Sequence, residues 1–314
     1  MYYICKNNKI TFYLMRVVVE YIGKKYYLPQ RYCVMEELRG MPVVKHIAED
    51  ITAKMEELGK KGIIPTLAVV RVGEREDDLS YERGLLKRFG SVGAKVESRV
   101  LDELVSQEEL EKVIMECNED KNIHGILLFR PLPKHLNEKK IIELVDPRKD
   151  VDCMCMENIA HTFAQDGLGH EPCTPQAVME LLDFYNIDLT GKKVVVVGRS
   201  MVVGKPLAMM LLKKNATVTI CHTKTKDVRE ECKKSDIIVA CAGVANMIDA
   251  TYITPGKIII DVGINVLDGM LCGDVNFNSI VDIASMATPV PGGVGTVTTS
   301  VLLKHTVRSA MEAE

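Results

Sequence analysis

Lys193-Val194-Val195-Val196-Val197-Gly198-Arg199-Ser200-Met201-Val202-Val203-Gly204-Lys205-Pro206 is the stretch whose reading decides the fold. Its four consecutive valines have the pattern of a strand buried on both faces of a parallel sheet. Gly198 permits a tight turn, and Lys205 to Leu212 continues as a helix rich in Leu and Met. Strand, glycine turn and helix in this order open a dinucleotide-binding unit. The turn departs from G-x-G-x-x-G, because Ser200 stands at the second glycine and Gly204 lies six positions after the first. It can still hold a diphosphate: the helix start offers N–H groups and the positive end of its dipole, and Ser200 can donate one more hydrogen bond. A P-loop fails by one residue of spacing and by Pro206, where a hydroxyl is needed.

Downstream, Thr217 to Cys221, Ile237 to Cys241 and Lys257 to Val262 read as three further strands with crossovers between them, which makes a doubly wound domain. An acidic residue at the end of the second strand would hold an NAD ribose. Here the run is Cys221-His222-Thr223-Lys224-Thr225, with no carboxylate. Together with Arg199 this surface suits a 2'-phosphate, so NADP is expected; NAD stays open, as does a reading of His222 and Lys224 as solvated loop residues. A last helix from about Val297 to Met311 is expected to return to the first domain.

Upstream, apolar residues at Val43, Val44, Ile47, Ile51, Met55 and Leu58 recur at helical spacing. The strand Leu67 to Val72, a helix from Ser80 to Gly90, the strand Lys95 to Leu101, a helix from Gln107 to Cys117, the strand Gly125 to Phe129 and a helix ending near Leu144 follow. Pro172-Cys173-Thr174-Pro175 interrupts the series and starts a helix that Thr174 is expected to cap. The expected architecture is α/β with two α/β domains: residues 35–172 with 297–314, and a Rossmann-like unit over 173–296. Residues 1–34 are basic and rich in Tyr and β-branched residues; they read as an appended segment before Met35 or as a small extra strand or hairpin.

The 314 residues exceed one ordinary core, and a formal charge of −3 gives no polycationic footprint for nucleic acid. Arg16, Glu20, Lys24 and Lys25 interrupt the N-terminal apolar stretch, so neither a bilayer span nor a secretory signal is expected. Ten cysteines form no C-x-x-C pair and read as reduced thiols of a cytoplasmic protein. The spacing of Cys153, Cys155 and Cys173 does not match zinc knuckles, and no metal is expected.

Six strings occur in order: Lys149-Asp150-Val151-Asp152, Pro172-Cys173-Thr174-Pro175, Gly198-Arg199-Ser200 with Val203-Gly204-Lys205-Pro206, Asp261-Val262-Gly263-Ile264-Asn265, Gly273-Asp274-Val275 and Pro289-Val290-Pro291-Gly292-Gly293-Val294-Gly295. From about Met35 onward the chain thereby resembles the methylenetetrahydrofolate dehydrogenase/cyclohydrolase family. The resemblance implies a folate in a cleft between two domains, NADP as cofactor and a homodimer. It implies that Tyr81 lies against the folate and that Asp152 bonds the pterin. It also implies that Leu128 and the loop Pro291, Gly292, Gly293, Val294 and Gly295 contact substrate. The cofactor set it implies is Gly198, Arg199, Ser200, Val203, Gly204 and Thr223, with Thr174, Ile264 and Thr298 at the nicotinamide end.

Two departures fall on one site. The family pattern Y-x-x-x-K places its catalytic lysine where this chain has Leu85, and Gly93 keeps the register. The glutamine that partners this lysine is replaced by Phe129 in Leu128-Phe129-Arg130-Pro131-Leu132-Pro133. Lys87, six residues after Tyr81, falls about 240° around a helix and is expected to point elsewhere. Cys153-Met154 stands where the pattern has Gly-Phe, and Thr296 where it has Pro. Hydride transfer needs alignment and exclusion of water more than an acid or base. Opening the methenyl ring with water needs a tuned polar group. The expectation is a dehydrogenase with weak or absent cyclohydrolase activity, its product passing to a separate hydrolase. Full bifunctionality, a two-domain dehydrogenase for a different acid substrate and a non-catalytic folate- or nucleotide-binding protein are the alternatives.

Overall fold

The computed structural model describes residues 12–21, 24–33 and 35–313. Lys193–Val197 is the inner strand of a six-stranded parallel sheet. Across the sheet the order is Glu36–Glu37, Met286–Ala287, Ile258–Asp261, Ile237–Ala240, Lys193–Val197 and Thr217–Cys221. Counted along the chain from Lys193, the five strands lie 2-1-3-4-5, so the order reverses between Lys193–Val197 and Ile237–Ala240. A crevice opens at such a reversal, beyond the carboxyl ends of the strands. The two-residue period of a strand explains the valine run: Val194 and Val196 join one apolar cluster with Leu181 and Leu207, while Val195 and Val197 join another with Ile238 and Tyr252.

The other parallel sheet sets Lys95–Leu101, Thr66–Val72 and Gly125–Leu128 side by side, with Thr66–Val72 in the middle and buried throughout. Leu67 and Val69 face the cluster of helices Gly40–Lys60 and Glu76–Gly90. Ala68 and Val70 face the one that holds Leu110, Ile114 and Ile141 of helices Gln107–Glu119 and Glu138–Leu144. The C-terminal helix Val294–Glu312 packs on Gly40–Lys60 and on Cys173–Phe184, and joins the two units. It is buried on most of its circumference, with Ser300, His305, Thr306 and Ser309 among the covered residues.

Several boundaries move. The Tyr81 helix begins at Glu76, four residues before Ser80, because Glu76, Asp77 and Asp78 suit the positive end of its dipole. Thr174 does not cap the next helix. Pro172 occupies the cap position with no side-chain bond, and Pro175, which lacks an N–H, sits harmlessly in the first turn of Cys173–Phe184. The last helix starts at Val294, so Val294 and Gly295 are helical and not part of a loop. Helix Met156–Ala164 and the hairpin Asn265–Leu267 with Met270–Cys272 are additions that the sequence patterns did not reveal. Phe12–Tyr21 and Lys24–Cys33 pair antiparallel in a sheet of their own; the other positions of residues 1–34 lie outside the described residues. Among the described residues, no helix is long and apolar enough to cross a membrane.

Candidate active site

A cleft of about 670 Å³ lies where the two sheets face each other. From the first unit, Tyr81, Leu128, Phe129 and Asp152 line it. Thr174, Val203 and Ile264 come from the nucleotide unit, with Val294, Gly295 and Thr298 on the connecting helix. Sequence reasoning had not singled out Arg75, Asp78, Arg130, Cys241 and Gly243, which also line the cleft, as does Cys173 of the Pro172 to Pro175 string. For Cys241 and Gly243 a signal existed: they follow the strand next to the reversal of strand order.

Gly198 shows why the turn needs its glycine. Its φ is +142°, and a β-carbon there would lie 2.3 Å from the Cys241 carbonyl oxygen. Ser200 does more than stand ready for a ligand. Its Oγ accepts from Val203 N at 3.0 Å and Gly204 N at 3.4 Å, and its carbonyl accepts from Lys205 N at 3.0 Å. Those N–H groups of the helix start are therefore satisfied within the turn. Gly198, Arg199, Ser200 and Gly204 form the turn beside the cleft, and Thr223 follows the neighbouring strand Thr217–Cys221; none of the five is a cleft-lining residue. Arg199, Thr223 and Lys224 are exposed, and no carboxylate follows that strand before Asp227. A glycine cradle at the reversal of strand order, followed by a cationic and carboxylate-free rim, fits a dinucleotide with a 2'-phosphate.

The acidic residues of the quoted strings divide into anchors and one cleft group. Asp261 accepts from Gly263 N and Asp274 N, each at 3.0 Å, and from Val275 N at 2.9 Å. Asp274 in turn accepts from Ala242 N at 2.6 Å and from Gly243 N and Val244 N at 2.9 Å. These two carboxylates hold the loops beyond the strand ends. Lys149 Nζ donates to the carbonyls of Cys117, Asn118 and Asp120, closing the end of helix Gln107–Glu119. Asp150 accepts from Met154 N at 2.9 Å and Cys155 N at 2.8 Å. Of the Lys149 to Asp152 string, Asp152 alone reaches the cleft.

Burial raises the Asp152 carboxyl from 3.8 to about 6; Cys173 and the Arg130 guanidinium pull it down, and Asp150 pushes it up. Tyr81 keeps 38% of its surface exposed, yet its hydroxyl end is packed, and burial with Asp152 and Cys173 nearby pushes the phenol above 10.0. Its ring meets Phe129 edge-on, with centroids 5.9 Å apart and planes at 60°. Leu85, one turn further on, is fully buried and lies outside the cleft, in the same apolar cluster as Phe129. Lys87 is exposed and does not line the cleft. Pro291, Gly292 and Gly293 are not brought into the cleft; the Gly292 carbonyl instead accepts from Gly40 N at 2.8 Å, which ties this loop to helix Gly40–Lys60.

Behind Asp152, Cys173 Sγ donates to the Val151 carbonyl at 3.3 Å, and His305 Nδ1 donates to the same oxygen at 2.9 Å. His305 Nδ1 thus carries the proton and cannot deprotonate the thiol 3.7 Å away. Burial raises the Cys173 pKa well above 9.0, so the pair is not an activated nucleophile. Cys153 and Cys155 are likewise buried free thiols.

A parallel-sheet nucleotide unit facing a second α/β unit across a cleft lined by Asp78, Asp152 and Tyr81 defines a two-domain, dinucleotide-binding α/β protein. Residues 38–152 match the family model described as the tetrahydrofolate dehydrogenase/cyclohydrolase catalytic domain, and residues 172–314 match its NAD(P)-binding domain. The chain belongs to the tetrahydrofolate dehydrogenase/cyclohydrolase family. It is 51% identical over 273 residues to the bifunctional protein FolD of Clostridioides difficile, covering 87% of this chain and 95% of that protein. The crystal structure of FolD from Campylobacter jejuni superposes with a TM-score of 0.86 at 39% identity, covering 88% of this chain and 99% of that one. The Trypanosoma brucei dehydrogenase-cyclohydrolase, solved with NADP cofactor and an inhibitor, gives 0.83 at 34% identity, covering 88% and 98%.

Proposed function

We propose that this protein is an NADP-dependent methylenetetrahydrofolate dehydrogenase whose cyclohydrolase activity is weak or absent. The observation that carries the reading is the cleft itself: an acid and an aromatic ring face the nucleotide unit, while the positions of the family lysine and glutamine are apolar. The domain limits proposed are residues 35–172 with 297–314 for folate and 173–296 for the nucleotide. Tyr81 offers a flat face to the pterin, and Asp152 an acceptor for its ring N–H groups. Leu128 and Phe129 exclude water from the reacting carbon. Gly198, Arg199, Ser200, Val203, Gly204 and Thr223 hold the dinucleotide, and Thr174, Ile264 and Thr298 border its nicotinamide, which when bound supplies the hydride acceptor. The assembly proposed is a homodimer, at work in the cytoplasm.

Hydrolysis of the methenyl product needs a side chain that can move a proton at the bridge carbon. Neither Leu85 nor Phe129 can, and Lys87 is outside the cleft. A separate hydrolase then completes the sequence. The similarity to proteins known as bifunctional favours the second reading, retention of both activities. One pair of assays separates them. Purified protein should reduce NADP+ with methylenetetrahydrofolate, and should leave methenyltetrahydrofolate absorbance decaying at its uncatalysed rate. Catalysed decay would establish the bifunctional reading in its place.

A further inference from the structure

The apolar pair Leu85 and Phe129 leaves unexplained what holds the two walls of the folate slot apart at a set distance. Tyr81 stands on helix Glu76–Gly90, and Phe129 on the segment after strand Gly125–Leu128. Their rings touch edge-on, a contact that permits sliding. Among the described residues, one hydrogen bond joins this helix region to that segment: Arg75 Nη2 donates to the Arg130 carbonyl at 3.0 Å. The same guanidinium is locked at its other edge. Nε and Nη2 donate to the two carboxylate oxygens of Asp78 at 2.9 and 2.7 Å, a bidentate fork.

We propose that Arg75 is a positioning residue for the folate, fixing the separation between the Tyr81 helix and the Phe129 to Pro131 segment and with it the width of the slot for the pterin. The inference rests on the folate reading above. Asp78 lies three residues before Tyr81 on the helix, so a guanidinium fixed to Asp78 is fixed to the tyrosine face. The Arg130 carbonyl lies directly after the ring that Tyr81 meets. Asp78 is 11% exposed at its side chain and Arg75 44%, so the carboxylate is largely shielded, and both residues border the cleft. A lysine at position 75 could reach one of these acceptors but not span the carboxylate and the carbonyl together.

The test measures folate and NADP+ Michaelis constants, kcat and melting temperature for the whole protein and for R75A, R75K and D78N. Arg75→Ala is expected to raise the folate KM on the order of tenfold, as loss of one charge-assisted hydrogen bond would. The NADP+ KM, kcat and melting temperature should stay near wild type. Millimolar methylguanidinium should restore the folate KM of R75A, R75K should not, and D78N should fall between. An unchanged folate KM in R75A overturns the proposal. So does a joint rise of both KM values with a lowered melting temperature and no methylguanidinium rescue, the signature of a merely structural arginine. Calorimetric titration with tetrahydrofolate needs no turnover. If wild type fails to reduce NADP+, the functional reading falls, while weaker tetrahydrofolate binding by R75A still upholds the clasp and equal binding overturns it.

Discussion

The two walls of the cleft obey different rules. On the nucleotide side, the turn Gly198 to Gly204 beside the cleft is built chiefly from backbone: a glycine at φ +142° against Cys241, and backbone N–H groups satisfied by the short Ser200 hydroxyl. On the folate side, position depends on side chains: Tyr81 against Phe129, Asp152 buried behind, and the Arg75 clasp. A wall made of backbone tolerates no added atom at its turn. A wall made of side chains can lose a polar pair, as at Leu85 and Phe129, and still pack. On the function proposed above, such a site would keep hydride transfer while dispensing with hydrolysis.

The sharpest way to break this contrast is Gly198→Ala. Its β-carbon would press on the Cys241 carbonyl, and the displaced turn should lower kcat/KM for NADP+ by ~10²-fold or more, the cost of an ångström-scale misplacement. Comparable kinetics in the variant would show that the turn is not built as described.

On the other wall, Asp152→Asn should lower kcat/KM for folate by roughly tenfold to a hundredfold, as loss of a charged acceptor does. In wild type the ionised carboxylate is the acceptor, so activity should fall as pH drops through about 6, and that limb should vanish in the variant. Stability should move the other way. Because the folded carboxyl titrates near 6 and an unfolded one near 3.8, the folded state binds the extra proton between these values. The stabilisation this provides is present below 3.8 and lost as pH rises through about 6. At pH 8, D152N should therefore unfold at higher denaturant, by at most ~3 kcal/mol.

Restoring the polar pair sharpens the comparison further. Leu85→Lys with Phe129→Gln should bring methenyltetrahydrofolate hydrolysis measurably above the uncatalysed rate and lower the melting temperature, since Leu85 is fully buried. Melting without any gain in hydrolysis would show that the supporting groups are missing as well.

The smallest effect concerns the buried histidine pair where His170 packs on helix Val294–Glu312. His170 Nε2 and Ser309 Oγ are 2.8 Å apart, the His170 ring stacks on His305 at 4.8 Å, and burial lowers the His170 pKa to about 2. Its neutral form is what folds. Stability from this group is present above about 6.5 and lost as pH falls below it, by ~1.4 kcal/mol per pH unit. His170→Phe should flatten the acid limb of a melting-temperature profile between pH 6 and 4.

Much of the fold was legible because the strands of its two parallel sheets are short runs rich in β-branched residues. Thr217–Cys221 and Lys95–Leu101 fall where their runs of residues place them. Helix starts were less legible, since dipole and proline chemistry extend them beyond the apolar pattern, as at Glu76 and Cys173. Helix Met156–Ala164 was missed, although Cys153, at φ +56°, turns the chain into it. Within the cleft, Tyr81 and Asp152 were named only through the resemblance to the family, and both line it. Arg75 was not named, because nothing in one dimension relates it to the carbonyl 55 residues later that it binds.

The sequence by itself determined the α/β succession, the glycine turn and the absence of a lysine one turn after Tyr81, because these depend on residue type and local spacing. Tertiary structure alone decided which acids are anchors and which one faces the cleft. It also decided that Pro291 to Gly293 brace helix Gly40–Lys60, and that Arg75 reaches the Arg130 carbonyl within the folate side of the cleft. These are consequences of long-range packing, which sets burial and direction for side chains whose chemistry is otherwise the same.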